Sequence, residues 1–514
     1  MHYLNAGCIT LVIARKSALI IATQLANGIL GYIGLKFIAL YMQPWEYGII
    51  GFAYGFVALF SLFGKLGFNL AHIKRVSEGK DISQCIATFA VTKMFLAGLM
   101  AAVVIGSIGI WKYVIGRGFE SPLHEQAVYV MLAYFVLLTL AQSMIVTFDA
   151  RKEIAKSQLS YCAYNFVRII ATIFVAFYGF GVLALAYTYL LGEVFHFMLA
   201  LLFFRGYPVG RPSLSLFKEY VSFAVPMAIA TASWLIMTNI DKVFIQLFWG
   251  AEQVGQYFAV FNLSRFIILF ASSVSLLLLP TFSEHHAKNN VGEIKRLVLQ
   301  SERYISMVVF PIIVTMIVLA KPIINILLSG KYFPALSVLQ ILPLFVLIEV
   351  LSRPYDSQLQ GMNMPKIARN RVLLMMGINV ALNLVLIPRD IQSIGLSLAG
   401  MGMEGAAIAT VVSYLAGLVY LRLQAWRLTG ITGNPRVLIH AAAAAFTGFL
   451  MWYMNIAIGR WYELLFAAFL SFGIYFVLLF LVREFKKEDF DLFADTINPK
   501  KMMTYIKEEL RSKK

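Results

Sequence analysis

Residues 47–71 read YGIIGFAYGFVALFSLFGKLGFNLA, a run whose one charge is Lys65. A helix of about 20 mostly apolar residues crosses the ~30 Å hydrocarbon core of a bilayer. This run is long enough to do so, and it has company on both sides. Roughly fourteen such stretches follow one another, at 17–42, 47–71, 84–110, 126–148, 160–179, 182–204, 220–249, 255–280, 303–328, 335–360, 370–388, 403–425, 437–458 and 461–482. They leave no room for a soluble catalytic domain. The expectation is an all-α polytopic membrane protein.

Composition agrees. Of the 514 residues 60% are hydrophobic and 13% charged, where a soluble chain carries about 25% charge. In lipid each backbone polar group must be satisfied within its own helix, so one large helical membrane domain is expected in place of several soluble ones. The net charge of +17 could suggest nucleic acid, but the positions of the charges argue otherwise. About 30 of the 43 Lys and Arg fall in the N-terminus, the even-numbered loops and the C-terminal tail, the positive-inside pattern. Both termini are therefore expected in the cytoplasm, with no nucleic-acid partner. Cys8, Cys85 and Cys162 then lie near the reducing face, and neither a disulfide nor a metal framework is implied. The first apolar run follows Arg15-Lys16, is too long for a cleavable signal and lacks a small-residue cleavage site, so it reads as the first span.

The chain divides into a cytoplasmic N-terminus (1–16), six spans (17–204), a linker (205–219), six more spans (220–425), two further spans (437–482) and a basic tail (483–514). The tail alternates charge with a few apolar residues and reads as a solvated tail or an amphipathic surface helix. An internal repeat underlies the two sixes. Tyr41-Met-Gln-Pro-Trp-Glu-Tyr-Gly48 aligns with Phe248-Trp-Gly-Ala-Glu-Gln-Val-Gly255 at an offset of about 207 residues. Ser77-Glu78 and Ser283-Glu284 follow, and Gly181-Val-Leu-Ala184 mirrors Gly405-Ala-Ala-Ile408. Each half has an even helix count, so both insert the same way up as a parallel repeat.

Charges inside the spans are the candidates for function, since each costs about 2.5–3.5 kcal/mol at mid-bilayer. The bases are Lys36, Lys65, Lys93, Arg168, Lys242, Arg265, Lys321 and Arg353, and the acids Glu193, Asp241, Glu349 and Asp356. Lys36, Lys242 and Lys321 sit near the outer end, and Lys65, Lys93 and Arg168 near the inner end, where long stems can snorkel. Arg265 and Glu193 sit near mid-span, where snorkelling is hard. Glu349, Arg353 and Asp356 follow spacings of four and three, placing a base between two acids on one helix face. They form either a self-neutralised structural cluster or a charge relay. Asp241 and Lys242 are adjacent and face about 100° apart, so one can line a cavity while the other pairs elsewhere. The excess is cationic and suits an anionic cargo, Arg gripping phosphate bidentately and Lys as a point charge. Arg265, helped by Arg168, Lys36, Lys65 and Lys93, could hold a diphosphate at membrane depth.

Other features have plainer readings. Gly28, Gly31 and Gly34 allow close helix packing or bending. Pro226, Pro311, Pro343 and Pro354 are candidate kinks, although Pro is common in membrane helices. Asp489-Phe-Asp491 mimics a glycosyltransferase acidic motif without a domain around it. Asn262-Leu-Ser264 is a glycosylation sequon inside a span. His285-His286 lack partners at ligand spacing, so no metal, cofactor or catalytic residue is expected.

Three segments bring a family resemblance. They are Asn239-Ile-Asp-Lys-Val-Phe-Ile-Gln-Leu-Phe248 with Val254-Gly-Gln-Tyr257 and Leu279-Pro-Thr-Phe-Ser-Glu284; Val338-Leu-Gln-Ile-Leu342 with Gln358-Leu-Gln-Gly361; and Asn379-Val-Ala-Leu-Asn-Leu-Val-Leu-Ile-Pro388 with Glu404-Gly-Ala-Ala-Ile-Ala-Thr410. Over about residues 15–485 the chain resembles the oligosaccharide-flippase, or polysaccharide-transport, branch of the multidrug/oligosaccharidyl-lipid/polysaccharide exporter superfamily. The resemblance implies two six-helix lobes in a V plus two extra C-terminal helices, working by alternating access in the cell membrane. Its implied cargo is a polyprenyl-diphosphate-linked oligosaccharide, whose head crosses a central cavity while its tail stays in membrane lipid. The related lipid II flippases set basic residues of spans 1, 2 and 8 against the diphosphate, and Lys36, Lys65 and Arg265 lie on those spans here. Gating or coupling to H+ or Na+ would fall to Glu193, Asp241, Lys242, Glu349, Arg353 and Asp356. A glycan polymerase or glycosyltransferases would be partners. The alternatives are an ion-coupled multidrug or cation antiporter of the same fold, which would favour an acidic cavity, and a membrane glycan polymerase or ligase, which would need larger outer loops.

Overall fold

The computed structural model describes residues 23–114, 119–265, 281–391 and 396–485, with Ile268 and Leu278 besides. The tail from 486, the N-terminal residues 1–22 with Cys8, and the Asp489/Asp491 pair lie outside the described residues. The first helices are α1 (23–41), α2 (Pro44–Lys65), α3 (Phe68–Ser77), α4 (Ile82–Gly109, ending in a π turn), α5 (Pro122–Ala150), α6 (Ile154–Tyr178) and α7 (Gly181–Phe204). Then come α8 (Leu214–Trp249), α9 (Ala251–Arg265), a short α10 (281–287), α11 (Val291–Val318), α12 (Ala320–Leu327), α13 (Leu336–Gly361), α14 (Pro365–Leu386), α15 (Gly402–Thr429), α16 (Arg436–Met454) and α17 (Trp461–Leu481). A two-residue hairpin, β1 (Asp390–Ile391) against β2 (Leu396–Ser397), sits in the loop expected after residue 388. Eleven helical segments among the described residues are long and apolar enough to cross a membrane. The other three expected spans correspond to α1, α8 and α9, and part of the first and the third lies outside the described residues.

Helix ends are set locally. Pro44 opens α2, where its missing N–H costs nothing, and Glu46 reaches back to the Gln43 amide at 2.7 Å. On the basic side Asp81, Ser213 and Asn290 cap α4, α8 and α11 with their side chains. Helices α11 and α13 run through Pro311, Pro343 and Pro354 without ending. Gly34 packs against Ile169 of α6, where a Cβ would lie 2.8 Å from its Cδ1, whereas Gly31 faces open space.

The run that opened the sequence reading is not one helix. It breaks at Leu66 and Gly67, both left-handed at φ 37° and 75°. The break strips the Gly64 carbonyl of its helical partner. Lys93, fully buried on α4, donates to that carbonyl at 3.0 Å and to Gln142 Oε1 at 3.3 Å. Lys93 was expected to help hold a diphosphate; in this structure its ammonium is engaged by these two acceptors. Its ammonium is used up inside the helix packing, because an orphaned carbonyl in a dry interior is itself costly.

One set is α4, α5, α6 and α7 with α2, the other α11, α13, α14 and α15 with α9; α16 and α17 lean on α11, and the most extensive packing of both α2 and α9 is on each other. Polar contacts tie that last pair down: Ser306 to His440 at 2.7 Å, Thr315 to Ser471 at 2.8 Å, and Glu484 to Arg303 at 2.6 Å and Arg436 at 2.8 Å. Helix α8 touches both sets. Its first turns pack on α3 and α4, where Tyr220 meets His72 Nδ1 at 2.9 Å, and its later turns pack on α2 and α14.

The two sets meet most closely where α2 crosses α9. A Cβ on Gly48 would lie 1.7 Å from the Ala251 carbonyl, and one on Gly255 would lie 1.8 Å from the Pro44 carbonyl. The contact is reciprocal, and its members are the repeat partners at an offset of about 207 residues. Only glycine permits this approach. Gly48→Ala and Gly255→Ala should each prevent the crossing while leaving the helices formed. Spin labels at the exposed positions Tyr41 and Phe333 should then report a longer and broader distance by pulsed electron resonance. An unchanged distance would show that the crossing tolerates a methyl group. Lys93→Ala should lower the thermal midpoint in detergent, consistent with about 1–3 kcal/mol for an unsatisfied buried carbonyl. An unaltered midpoint would remove the capping role.

Candidate functional site

Below the glycine crossing, the seam between the two sets is lined by aromatic rings and by cations. Arg168 projects from α6. Its guanidinium lies over Tyr189 of α7 at 4.8 Å and over Tyr164 at 5.5 Å, a cation–π cage. Gly192 makes room for it, since a Cβ there would fall 2.9 Å from the Arg168 Cβ. Tyr164 extends the cage by donating to the Tyr134 hydroxyl at 3.4 Å. Arg168 Nε has no hydrogen-bond partner, and no carboxylate pairs with this arginine among the described residues.

Arg265 ends the described part of α9. It is exposed, lies over Phe261 at 5.4 Å and has no carboxylate within ion-pair distance among the described residues. Tyr54 of α2 links the two sides, its ring centroid 6.2 Å from that of Tyr189, over which Arg168 lies, and 6.5 Å from that of Phe258 on α9. Lys242 joins them from α8. Its Nζ donates to Thr238 O at 2.9 Å and Asn239 Oδ1 at 3.1 Å, and the ammonium sits 5.6 and 5.5 Å from the Phe258 and Phe261 rings. Gly55 of α2 receives its stem, with a missing Cβ 3.0 Å from Lys242 Cδ. Asn262 bridges the sets by donating to the Tyr47 hydroxyl at 3.2 Å.

Asp241 turns away from its neighbour into the C-terminal set. It accepts from Asn383 at 2.6 Å, Tyr257 at 2.8 Å and Thr410 at 3.3 Å, and Asn383 also donates to Asn379 at 3.1 Å. Three neutral polar side chains from three helices thus surround one carboxylate, and Asn379 supports one of them. Asn379 and Asn383 stand one helical turn apart in an apolar span, a visible pattern that the sequence reading used only for family resemblance. Among the described residues no group of three or more His, Cys, Asp or Glu could hold a metal ion.

The remaining candidates scatter. Glu193 is 1% exposed and bonds His196 Nδ1 at 2.9 Å, within the N-terminal set. Glu349 takes Arg353 at 2.9 Å and also Arg371 of α14 at 2.7 Å. Arg371, at the very start of the span expected at 370–388, was not among the candidates that the sequence offered. Asp356 does not complete the expected acid–base–acid row; it accepts from Gln360 at 3.0 Å. The reason is reach: Glu before Arg at i,i+4 spans one turn easily, and the shorter Asp arm bonds forward instead. Lys65 is half-buried at the end of α2. Lys321 lies 6.0 Å from the Phe333 ring. Lys36 sits at the mouth opposite the basic loops, on the carbonyls that end α12. The structure therefore gathers Arg168, Arg265 and Lys242 on one seam, with Lys36 at the mouth above them and Lys93 withdrawn into packing.

This arrangement offers no nucleophile with an adjacent base. It offers cations lacking anions beside stacked aromatic faces, which is what a negatively charged ligand with ring-shaped groups would need.

Known proteins fit this geometry. The chain is similar to the probable low-salt glycan biosynthesis flippase Agl15 of Haloferax volcanii, 21% identical over 411 residues covering 79% of this chain and 82% of that protein. It is also similar to an uncharacterized membrane protein of Methanocaldococcus jannaschii, 27% identical over 217 residues, which cover 42% of this chain and 40% of that one. Among solved structures, the lipid II flippase MurJ in an inward closed conformation superposes with a TM-score of 0.73 at 15% identity, covering 90% of this chain and 98% of that one. An inward-facing multidrug resistance MATE transporter of the MOP superfamily gives 0.61 at 15% identity, over 80% of this chain and 100% of that one. Both likenesses concern the fold. The family described as "Polysaccharide biosynthesis protein" matches residues 37–337, more than half of the 514 residues, and the chain belongs to that family.

Proposed function

We propose that the protein is a flippase that moves a polyprenyl-diphosphate-linked oligosaccharide from the cytoplasmic to the outer leaflet of the cell membrane. The observation that carries this reading is that Arg168 and Arg265, with no carboxylate partner among the described residues, stand over aromatic rings on either side of the Tyr54 contact. An unneutralised cation at membrane depth is costly. A diphosphate would supply the missing charge, and the tyrosine faces would take the sugar rings. The lipid tail would remain in the bilayer. Two six-helix lobes, residues 17–204 and 220–425, would rock about the seam, with 437–482 as an appended pair and both termini in the cytoplasm. The protein would act as a transporter and not as an enzyme, supplying glycan to polymerase or glycosyltransferase partners.

Coupling would draw on Asp241. Its ring of amide and hydroxyl groups suits a hard cation such as Na+, or a proton, better than a second side-chain charge. Glu193, already matched with His196, is the second coupling candidate in the other lobe. Glu349, Arg353, Arg371 and Asp356 would hold α13 to α14 and change partners only if those helices move apart.

The same fold also serves multidrug transport, so the assay must separate the readings. In proteoliposomes the wild type should move a fluorescent lipid-linked oligosaccharide and leave an organic cation such as ethidium behind; the reverse outcome would overturn the proposal. Arg168→Ala and Arg265→Ala should each lower the flipping rate by roughly tenfold or more, consistent with loss of a charge-assisted contact of about 1.5–3 kcal/mol. Their amounts of folded protein should be unchanged. Asp241→Asn should abolish stimulation by an imposed Na+ or pH gradient while exchange without a gradient persists. A full gradient response in Asp241→Asn, lost instead in Glu193→Gln, would move the coupling site to the N-terminal lobe.

A further inference from the structure

The mouth opposite the basic loops is closed by more than two glycines. Three charged side chains cross it, and each ends on the main chain of a helix terminus in the opposing lobe. Lys36, on α1, donates to the carbonyls of Ile326 and Leu328, the latter at 3.2 Å, where α12 ends. Lys331 returns the contact, donating to the carbonyls of Leu40 at 3.2 Å and Met42 at 3.3 Å, where α1 ends. Glu120, just ahead of α5, accepts from the Ala251 amide at 3.2 Å, the first residue of α9, and from Gln246 at 2.7 Å. Tyr32 adds a long hydrogen bond of 3.4 Å to the Leu327 carbonyl.

The signs are consistent. The last carbonyls of a helix lack partners and carry partial negative charge; the first amides carry partial positive charge. Here both lysines land on carboxyl ends and the glutamate lands on an amino end. Neither lysine has an acidic partner among the described residues. Beneath them Met42, Tyr47, Val254 and Tyr332 are buried.

We propose that Lys36, Lys331 and Glu120 form a latch that holds the outer mouth shut, and that they are gating residues of the transport cycle. Partial charges suit this task. A lysine–carboxylate pair across the mouth would add the attraction of two full charges to every closure. A lysine on helix-end carbonyls makes a directional but modest contact, which water replaces when the lobes separate. The two lysines act reciprocally, one from each lobe, so the latch closes only when both helix ends arrive together. The proposal goes beyond the flippase reading and concerns opening of the mouth, whatever passes through it.

The test needs no cargo. In full-length protein with Cys8, Cys85 and Cys162 changed to Ser, Met42→Cys places a thiol at a position that is 3% exposed as methionine in the shut mouth, and its main-chain carbonyl is kept. Reaction with a membrane-impermeant maleimide added from outside measures opening. Lys36→Gln, Lys331→Gln and Glu120→Gln should each speed labelling by about two- to five-fold, the ratio expected for loss of one helix-end charge contact. Lys331→Arg should restore the slow rate, and Lys321→Gln, at the same end of the protein but outside the latch, should leave it unchanged. Labelling that is unaltered in all three Gln variants, or equally fast in Lys321→Gln, overturns the latch. Should a Gln variant fail to fold, the Lys331→Arg rate against Met42→Cys alone still decides, because a latch tolerates arginine and keeps labelling slow. Failure of the flippase reading would instead appear as absent glycan transport with these labelling rates intact.

Discussion

The distance at which α2 and α9 cross governs what the rest of the molecule can do. With Gly48 against Ala251 and Gly255 against Pro44, the two helices meet main chain to main chain. Nothing but hydrogen fits between them. That approach brings Tyr47 within hydrogen-bonding distance of Asn262 and lays the Lys242 stem over Gly55. It also brings the ends of α1 and α12 close enough for two lysines to bridge. A bilayer gives little hydrophobic reason for apolar helices to associate, so close packing and polar contacts must do it. Here they do it through a reciprocal pair of glycine approaches, Gly48 to Ala251 and Gly255 to Pro44.

The embedded charges sort into three fates. Some are neutralised by partners: Glu349 by two arginines, Glu484 by two more. Some are spent on the main chain, as Lys93 is at a helix break and Lys36 at a helix end. Among the described residues Arg168 and Arg265 have neither fate, and aromatic faces attend them. Cation–π contacts are worth about 0.5–2 kcal/mol and leave the charge of the half-buried Arg168 and of the exposed Arg265 without an anion among the described residues. The imbalance falls on the surface shared by the two lobes, where it can be relieved by a ligand and not by a fold change.

Much of this architecture was legible beforehand. Apolar length alone located the helices, because a membrane solvent leaves the chain few alternatives. The Tyr41–Gly48 and Phe248–Gly255 correspondence marked the two segments that turn out to touch. Spacing within one helix was readable, so Glu349 and Arg353 were paired correctly. Spacing between helices was not. Arg371 reaches Glu349 from α14, and no pattern along α13 announces it. The contact of Lys93 with Gly64 was not legible, because the break at Leu66 and Gly67 lies in an unbroken apolar run, and the carbonyl that it exposes leaves no trace in composition. Lys331 was passed over as a loop residue, although its role depends on where the opposing helix ends. Asp241 and Lys242 were separable by helical angle, but the three polar groups around Asp241 come from distant segments.

Helix α8 is 36 residues long, about 54 Å at 1.5 Å per residue, well beyond the ~30 Å needed to cross. Its foot is bolted to α3 and α4 through Tyr220 and His72, while its upper turns bear Lys242 and Asp241 and pack on α14. One rod is thus anchored in both bodies. Any swing of one body against the other must be absorbed as curvature along that rod, much as a leaf spring stores the tilt of an axle. The free energy of each conformation then includes an elastic contribution, set by the stiffness of a single helix and independent of what the cavity holds.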